Sequence, residues 1–346
     1  MVNLLNISNP TKESLVCVFV LQLLELVGHR KATLAPHNLS SKPSLNKTHP
    51  EHVVDAFTIF EKQNQDNVKV HHFIGIAPYA TMHNDICTIA HDRGVSIIIV
   101  PFHKQWGIDG RVDSSHMNIK NVNRHVLQKA PCSVGVLVDR GPIVGNSSIL
   151  KGQSLFSIAM LFLGGDDDHE ALAYSRRMAE HPYVRLQVIR IRPRTQISED
   201  NQEMNDFDKE IIDDFLSSVK NKENIAYHEA LVDDGVGTTG IARSLENHID
   251  LVLVGRHHEP DSPATSGLAE WSECPELGAI GDMLATWDFR FSVLVMQQQP
   301  YREEYSYSRQ ISMQSFESKV SYDSNRDEYN LATHGVFLEK SWSSKG

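Results

Sequence analysis

Apolar residues in this chain fall into two patterns. Short, nearly continuous runs such as Val95–Val100 and Leu251–Val254 end at Pro101 and Gly255. Runs of that kind are strands buried on both faces, as in a parallel sheet. Elsewhere apolar residues recur every three or four positions. Val53, Val54, Phe57 and Phe60 do so, as do Phe207, Ile211, Ile212 and Phe215. That is the spacing of a helix with one buried stripe.

Taken in order, the pattern predicts a helix over 1–9, stopped at Asn9-Pro10, and then strands Leu15–Leu21, Val68–Ala77, Val95–Val100 and Cys132–Val138. Helices are expected from His49-Pro50-Glu51, over Met82–Arg93 and over Ile119–Lys129. His29–Pro50 and Gln105–Asn118 read as loops. Further on, strands are expected at Leu155–Leu163, Val184–Ile191, Ala226–Val232, Leu251–Val254 and Phe291–Met296. Asp168–Ala179, Asn201–Val219 and Thr238–Glu246 read as helices, and Glu270–Ala285 as a compact helical segment. Strand, polar connection, helix, strand is the grammar of an α/β layer, so the expected fold class is α/β with parallel sheets.

The two series agree element by element. Gly94-Val95-Ser96-Ile97-Ile98-Ile99-Val100-Pro101-Phe102-His103 aligns with His248-Ile249-Asp250-Leu251-Val252-Leu253-Val254-Gly255-Arg256-His257. Shared order points to duplication of one unit. The expected domains are 1–140 and 153–299, joined by a Gly/Ser-rich linker at 141–152. Each is expected to hold its own sheet. The first lacks the opening strand that Leu155–Leu163 gives the second, so an N-terminally shortened first domain is expected. Residues 300–346 are rich in Ser, Tyr and charge, without periodicity, and read as a disordered tail. Tyr301, Tyr305, Ser306, Tyr307 and Ser308 would be open to phosphorylation there.

Charge and cysteine usage narrow the function classes. The 346 residues carry a net charge of −11, which opposes nucleic acid or an anionic membrane as a whole-molecule partner. Cys17, Cys87, Cys132 and Cys274 show neither C-x-x-C nor zinc-finger spacing and read as buried thiols. The run Leu15–Leu21 falls far short of the ~20 apolar residues of a membrane span. No acid–base or nucleophile constellation is evident, so an enzyme is not expected.

Four stretches carry a specific resemblance. They are Cys132-Ser133-Val134-Gly135-Val136-Leu137-Val138-Asp139-Arg140-Gly141 after Ala130-Pro131; Phe162-Leu163-Gly164-Gly165 with Asp167-Asp168 and Glu170-Ala171-Leu172; Val254-Gly255-Arg256; and Trp271-Ser272-Glu273-Cys274-Pro275-Glu276-Leu277-Gly278. Together they resemble the cytosolic C-terminal region of plant cation/proton exchangers, from about residue 4 to 300. The resemblance implies two universal-stress-protein-like, Rossmann-like domains appended to a transmembrane antiporter domain. It also implies a regulatory role on the cytoplasmic face of an endomembrane or the plasma membrane, a homodimer, and no transport by this chain alone. The parent would exchange potassium or another monovalent cation for protons.

Ligands in parallel α/β layers sit at strand carboxyl ends against helix N-termini. The candidate ligand-binding residues are therefore Gly164, Gly165, Asp166, Gly255, Arg256, Ser272, Glu273, Gly278 and Gly281. Universal stress proteins that bind ATP resemble G-x-x-G followed later by G-S/T. Gly255 fits the first glycine and Gly278 the late one, but His258 and Ala279 replace the other two groups. An adenine nucleotide in the second domain is the cofactor to test, with no cofactor as the other reading. Ser272, Glu273 and Glu276 would either fix a ligand or start a helix, with Ser272 as its N-cap. Asp166, Asp167 and Asp168 would bind a cation or favour a helix start. Gly235-Val236-Gly237-Thr238-Thr239-Gly240 spells a dinucleotide fingerprint, but at the third strand of its unit. His257, His258, His71 and His72 suggest a pH sensor.

Overall fold

A computed structural model describes residues 1–12, 14–26, 32–36, 49–107, 112–141, 155–194, 202–259, 261–299 and 333–339. Its strands are β1 (Val16–Glu25), β2 (Thr33–Pro36), β3 (Val68–Ala77), β4 (Ile97–Pro101), β5 (Lys104–Trp106), β6 (Val112–Ser115), β7 (Ser133–Val138), β8 (Phe156–Phe162), β9 (Val184–Pro193), β10 (Ile225–Val232), β11 (Leu251–Gly255), β12 (Ser292–Gln297) and β13 (Thr333–Glu339). The helices are α1 (Val2–Ile7), α2 (His49–Gln63), α3 (Met82–Asp92), α4 (Met117–Lys129), α5 (Asp166–Met178), α6 (Gln202–Val219), α7 (Gly235–Ser244) and α8 (Gly278–Thr286).

Every expected strand is present, and the α/β class follows from how they pair. Eleven strands form one sheet in the order β10-β9-β8-β11-β12-β7-β4-β13-β1-β3-β2. Within β8 to β12 all pairings are parallel. Numbered by sequence, that block reads third, second, first, fourth, fifth. The other block repeats the order, with β1, β3, β4 and β7 as second to fifth. The blocks meet where β12 lies antiparallel to β7, Val295 opposite Val136. β7, β11 and β12 are buried along their whole length, as continuous apolar runs dictate.

Two expectations need correction. The halves do not keep separate sheets, because the β7–β12 pair makes the sheet continuous; the repeated strand order survives across that seam. The tail expected to be disordered also supplies a strand. β13 lies parallel between β1 and β4, with Val336 opposite both Phe19 and Ile98. It fills the first-strand position that the first block does not fill from its own segment. The rest of 300–346, including the tail tyrosines, and most of the expected linker at 141–152 lie outside the described residues.

Smaller differences have local causes. A hairpin, β5–β6, interrupts the expected loop 105–118, and α4 starts at Met117 rather than at Ile119. β2 adds an antiparallel edge strand within the expected loop 29–50. Helices cover both faces of the sheet. One face packs Ile86, Val122, Val126, Ile280 and Leu284 with Val254 and Val295, and the other packs Leu4, Phe57, Ala171 and Phe215 with Ile158 and Leu253. Each buried Val, Leu, Ile or Phe side chain contributes about 1.5–3 kcal/mol.

Candidate functional site

In this strand order the switch point of the second block lies between β8 and β11, where connections leave toward opposite faces. The crevice beyond those strand ends is where a ligand is expected. Asp168 fills it. Its Oδ2 accepts from the amides of Leu163 at 2.6 Å and Gly164 at 2.9 Å, and its Oδ1 from Gly255 at 2.7 Å. The carboxylate is fully buried, and His258 Nε2 lies 3.3 Å from Oδ2. Asp167 does the same one position along. It accepts from the His257 amide at 2.9 Å, His257 Nδ1 at 2.7 Å and the Gln298 amide at 2.7 Å. Three strand ends are thus tied together by two adjacent acids in the first turn of α5.

Those amides are the donors that a bound phosphate would use. A Cβ at Gly255 would lie 2.7 Å from both the Asp168 amide nitrogen and its Oδ1, so glycine is what lets α5 approach. Asp166 behaves differently. Its side chain is 77% exposed and pairs with His169 at 3.8 Å. Gly164 and Gly165 form the entry to α5, and Gly165 donates to Asp208 Oδ1 at 3.1 Å. Asp208 Oδ1 also accepts from His169 Nε2 at 2.6 Å.

Arg256 leads from the crevice into the loop before α8. Its guanidinium donates to the Glu276 carbonyl at 2.6 Å and to Gln297 Oε1 at 2.7 Å, and burial pulls its pKa down. Gly278 backs onto the Arg256 carbonyl, where a Cβ would collide, and its φ is +74°. That left-handed residue explains a further correction. Ser272 is no α-helix N-cap: Leu268–Trp271 and Pro275–Leu277 are 3-10 turns, and α8 starts only at Gly278. A helix running through from Ser272 would need Gly278 to be right-handed. The Asp282 carboxylate caps the loop instead, accepting from the amides of Glu273 at 3.0 Å and Cys274 at 2.9 Å. Gly281 sits against Val295, where a Cβ would come within 2.9 Å.

Glu273 does not line the crevice but lies toward the first block, and Ser272 is exposed. Lys104 Nζ donates to Glu273 Oε2 at 2.8 Å, and Lys120 Nζ to the Glu273 carbonyl at 2.9 Å. Lys120 also pairs with Glu276 Oε2 at 3.4 Å, while His103 Nδ1 lies 3.7 Å from Glu276 Oε1. The Lys104 hydrogen bond holds the Glu273 carboxyl below its usual range. Arg140 closes the other end of the seam. Its guanidinium donates to the carbonyls of Phe289 at 2.5 Å, Trp287 at 2.6 Å and Ala285 at 2.7 Å, and it stacks 4.6 Å from the Trp106 ring.

The nine predicted residues therefore separate into groups. Gly164, Gly165, Gly255, Arg256 and Gly278 surround one crevice. Glu273 belongs to the seam, Gly281 to helix packing, and Ser272 and Asp166 to the surface. His103, Lys104, Lys120, Arg140 and Gln297 were not anticipated. The dinucleotide fingerprint is likewise packed shut. Asp234 caps α7 through the Gly237 amide at 3.0 Å, Thr238 donates to the Ala264 carbonyl at 2.6 Å, and Gly235 abuts the Ser266 carbonyl. Of the proposed sensor histidines, His71 stacks on Phe19 at 5.3 Å and His72 is buried within β3.

Comparison with known proteins fits this architecture. Residues 18–142 match the profile described as a plant cation/H(+) antiporter domain. Residues 155–297 match that of the plant cation/H(+) antiporter C-terminal domain. The chain belongs to the plant cation/H(+) antiporter family. It is 44% identical over 304 residues to cation/H(+) antiporter 14 of Arabidopsis thaliana, covering 86% of this chain and 36% of the relative. It is 45% identical to cation/H(+) symporter 13 of the same plant, over 86% of this chain and 36% of that protein. Cation/H(+) antiporter 15 shares 40% identity, covering 93% and 42%. The chain thus spans well under half the length of these relatives. Among solved structures, a universal stress protein from Archaeoglobus fulgidus aligns with a TM-score of 0.41 at 11% identity, covering 84% of this chain and 88% of that one. A second, from Pseudomonas aeruginosa, aligns at 0.41 and 12%, covering 87% and 99%. Among the described residues no helix is long and apolar enough to cross a membrane.

Proposed function

We propose that this chain is the regulatory cytosolic region of a monovalent cation/proton antiporter that exchanges potassium for protons and serves pH homeostasis. Residues 1–140 and 153–299 act as its two domains. It catalyses no reaction and moves no ion by itself. It works on the membrane-embedded domain of its parent, as a homodimer, at the cytoplasmic face of an endomembrane or the plasma membrane. The observation that carries this reading is the filled crevice. In a chain of an antiporter family, the amides that would cradle a nucleotide phosphate hold Asp168 instead. What the fold offers is one continuous sheet of two blocks, with charged contacts between them.

Proton flux driven by a potassium gradient in vesicles tests this. Vesicles containing the full-length parent should show flux, and this chain added alone should show none. Lys104→Glu breaks the 2.8 Å bond to Glu273 and should shift the pH dependence of that flux. The swapped pair Lys104→Glu with Glu273→Lys should restore it. Flux curves that superimpose for the parent and the single variant, or flux from this chain alone, would refute the proposal.

A further inference from the structure

Between the two blocks, beside the seam contacts of Lys120 and Glu276, three side chains of unlike chemistry converge. His103 follows β4. Cys274 and Glu276 belong to the loop before α8. All three are buried, and an imidazole nitrogen, the thiol sulfur and a carboxylate oxygen lie within 4.8 Å of one another. Glu276 divides its oxygens. Oε2 is held by Lys120 at 3.4 Å, while Oε1 is buried with no hydrogen-bond donor among the described residues and faces His103 Nδ1 at 3.7 Å.

The surroundings hold these groups in place. Asp282 clamps the Glu273 and Cys274 amides, so the backbone carrying two of the three side chains is fixed. The Arg256 guanidinium holds the Glu276 carbonyl from the other side. Glu273, Glu276 and Asp282 bring three negative charges against three positive from Lys104, Lys120 and Arg256, so the shell is balanced and a thiolate at Cys274 would leave one negative charge to face a bound cation. One nitrogen, one sulfur and one oxygen donor suit zinc-class ions and not calcium or magnesium, which take oxygen alone. Donors around a tetrahedral zinc ion lie roughly 3.3–3.8 Å apart, from bond lengths near 2.0–2.3 Å. Closing the cluster needs side-chain shifts of about 1 Å.

We propose that His103, Cys274 and Glu276 bind one divalent transition-metal cation of the zinc class, which fastens the first block to the second. Binding replaces the thiol proton, released to solvent, by a metal–sulfur bond, and solvent completes the coordination. The site does not depend on the regulatory role proposed above.

The test uses the whole chain without a histidine tag, stripped by a chelator. Cobalt(II) is the probe. It should give a thiolate-to-cobalt charge-transfer absorption that saturates at one equivalent and is abolished by added zinc. Cys274→Ser should lose that band, whereas Cys132→Ser should keep it. His103→Gln should weaken zinc binding by at least about tenfold. X-ray absorption of the zinc-loaded wild-type chain needs no variant and should show one sulfur with nitrogen or oxygen neighbours. Absence of the cobalt band, its persistence in Cys274→Ser, unchanged zinc affinity in His103→Gln, or a shell without sulfur would each overturn the proposal.

Discussion

Arg140 is the most concentrated contact between the blocks, and replacing it with methionine isolates what its charge contributes. Methionine keeps an unbranched apolar stem but no donors. The wild-type guanidinium satisfies carbonyls at the C-terminal end of α8, at 2.5 Å to Phe289, 2.6 Å to Trp287 and 2.7 Å to Ala285. Bonds to a charged group are worth roughly 1.5–3 kcal/mol each. The Trp287 carbonyl is exposed and recovers water, so the part-buried Phe289 and Ala285 carbonyls carry most of the loss, the third, Leu284, being held only at 3.4 Å. Discounting for partial solvent access and adding about 0.5 kcal/mol for the Trp106 stacking gives about 3–5 kcal/mol. For a chain of this size each kcal/mol lowers the melting midpoint by about 2 °C, so Arg140→Met should melt roughly 6–10 °C early. Burial brings the arginine down to about 10, still cationic at neutral pH, so the penalty should be flat from mildly acidic to mildly basic buffer. Calorimetry gives the midpoint, and hydrogen exchange at residues 284–289 locates the loss. Arg140→Lys, with fewer and differently directed donors, should recover less than half. A midpoint within about 1 °C of wild type, with unchanged exchange over 284–289, would refute the reasoning.

The remaining predictions concern the crevice, the loop and one histidine. Asp168→Gly should leave the Leu163, Gly164 and Gly255 amides without an acceptor, destabilising the chain by about 3–6 kcal/mol; phosphate or sulfate should raise its melting point and leave the wild type unmoved. Gly278→Ala forces a side chain onto the Arg256 carbonyl at φ +74° and should cost more than about 2 kcal/mol by chemical denaturation, well beyond Gly281→Ala at a right-handed position. His83 is held below its usual pKa, first by burial and then by Lys129, whose Nζ lies 3.0 Å from its Nε2. The folded state therefore resists a proton that the unfolded chain accepts. Stability should fall as pH drops below 6.5, the group's ordinary value, toward its lower folded value; His83→Asn should flatten that decline in denaturant titrations across the window.

What could be read in the sequence divides by range. Strands and helices were legible because their cues are local. The run Leu251–Val254 is apolar whatever lies beside it, and Gly255 ends it. Asp167 and Asp168 were visible as acids at a helix start, but their acceptor role was not. Their donors, Gly255, His257 and Gln298, lie 87, 90 and 131 residues away and meet them only when three strands align. The seam was hidden for the same reason, since Lys104 and Lys120 acquire meaning only opposite Glu273 and Glu276. Ser272 misled because serine followed by acids imitates an N-cap, while the handedness of Gly278, six residues on, decides where the helix starts. The short run at Thr333–Glu339 lies within a polar stretch, and only the gap between β1 and β4 makes it a strand.

The antiparallel seam has a geometric consequence for how this body can be presented. Every strand of the second block runs with β12, and β13, β1, β3 and β4 run with β7, so the two sets of strand tips project from opposite rims of the sheet. A flat neighbour, such as the underside of a membrane-embedded machine, can meet one rim but not both. Whichever rim faces it, the other is left outward for a different encounter.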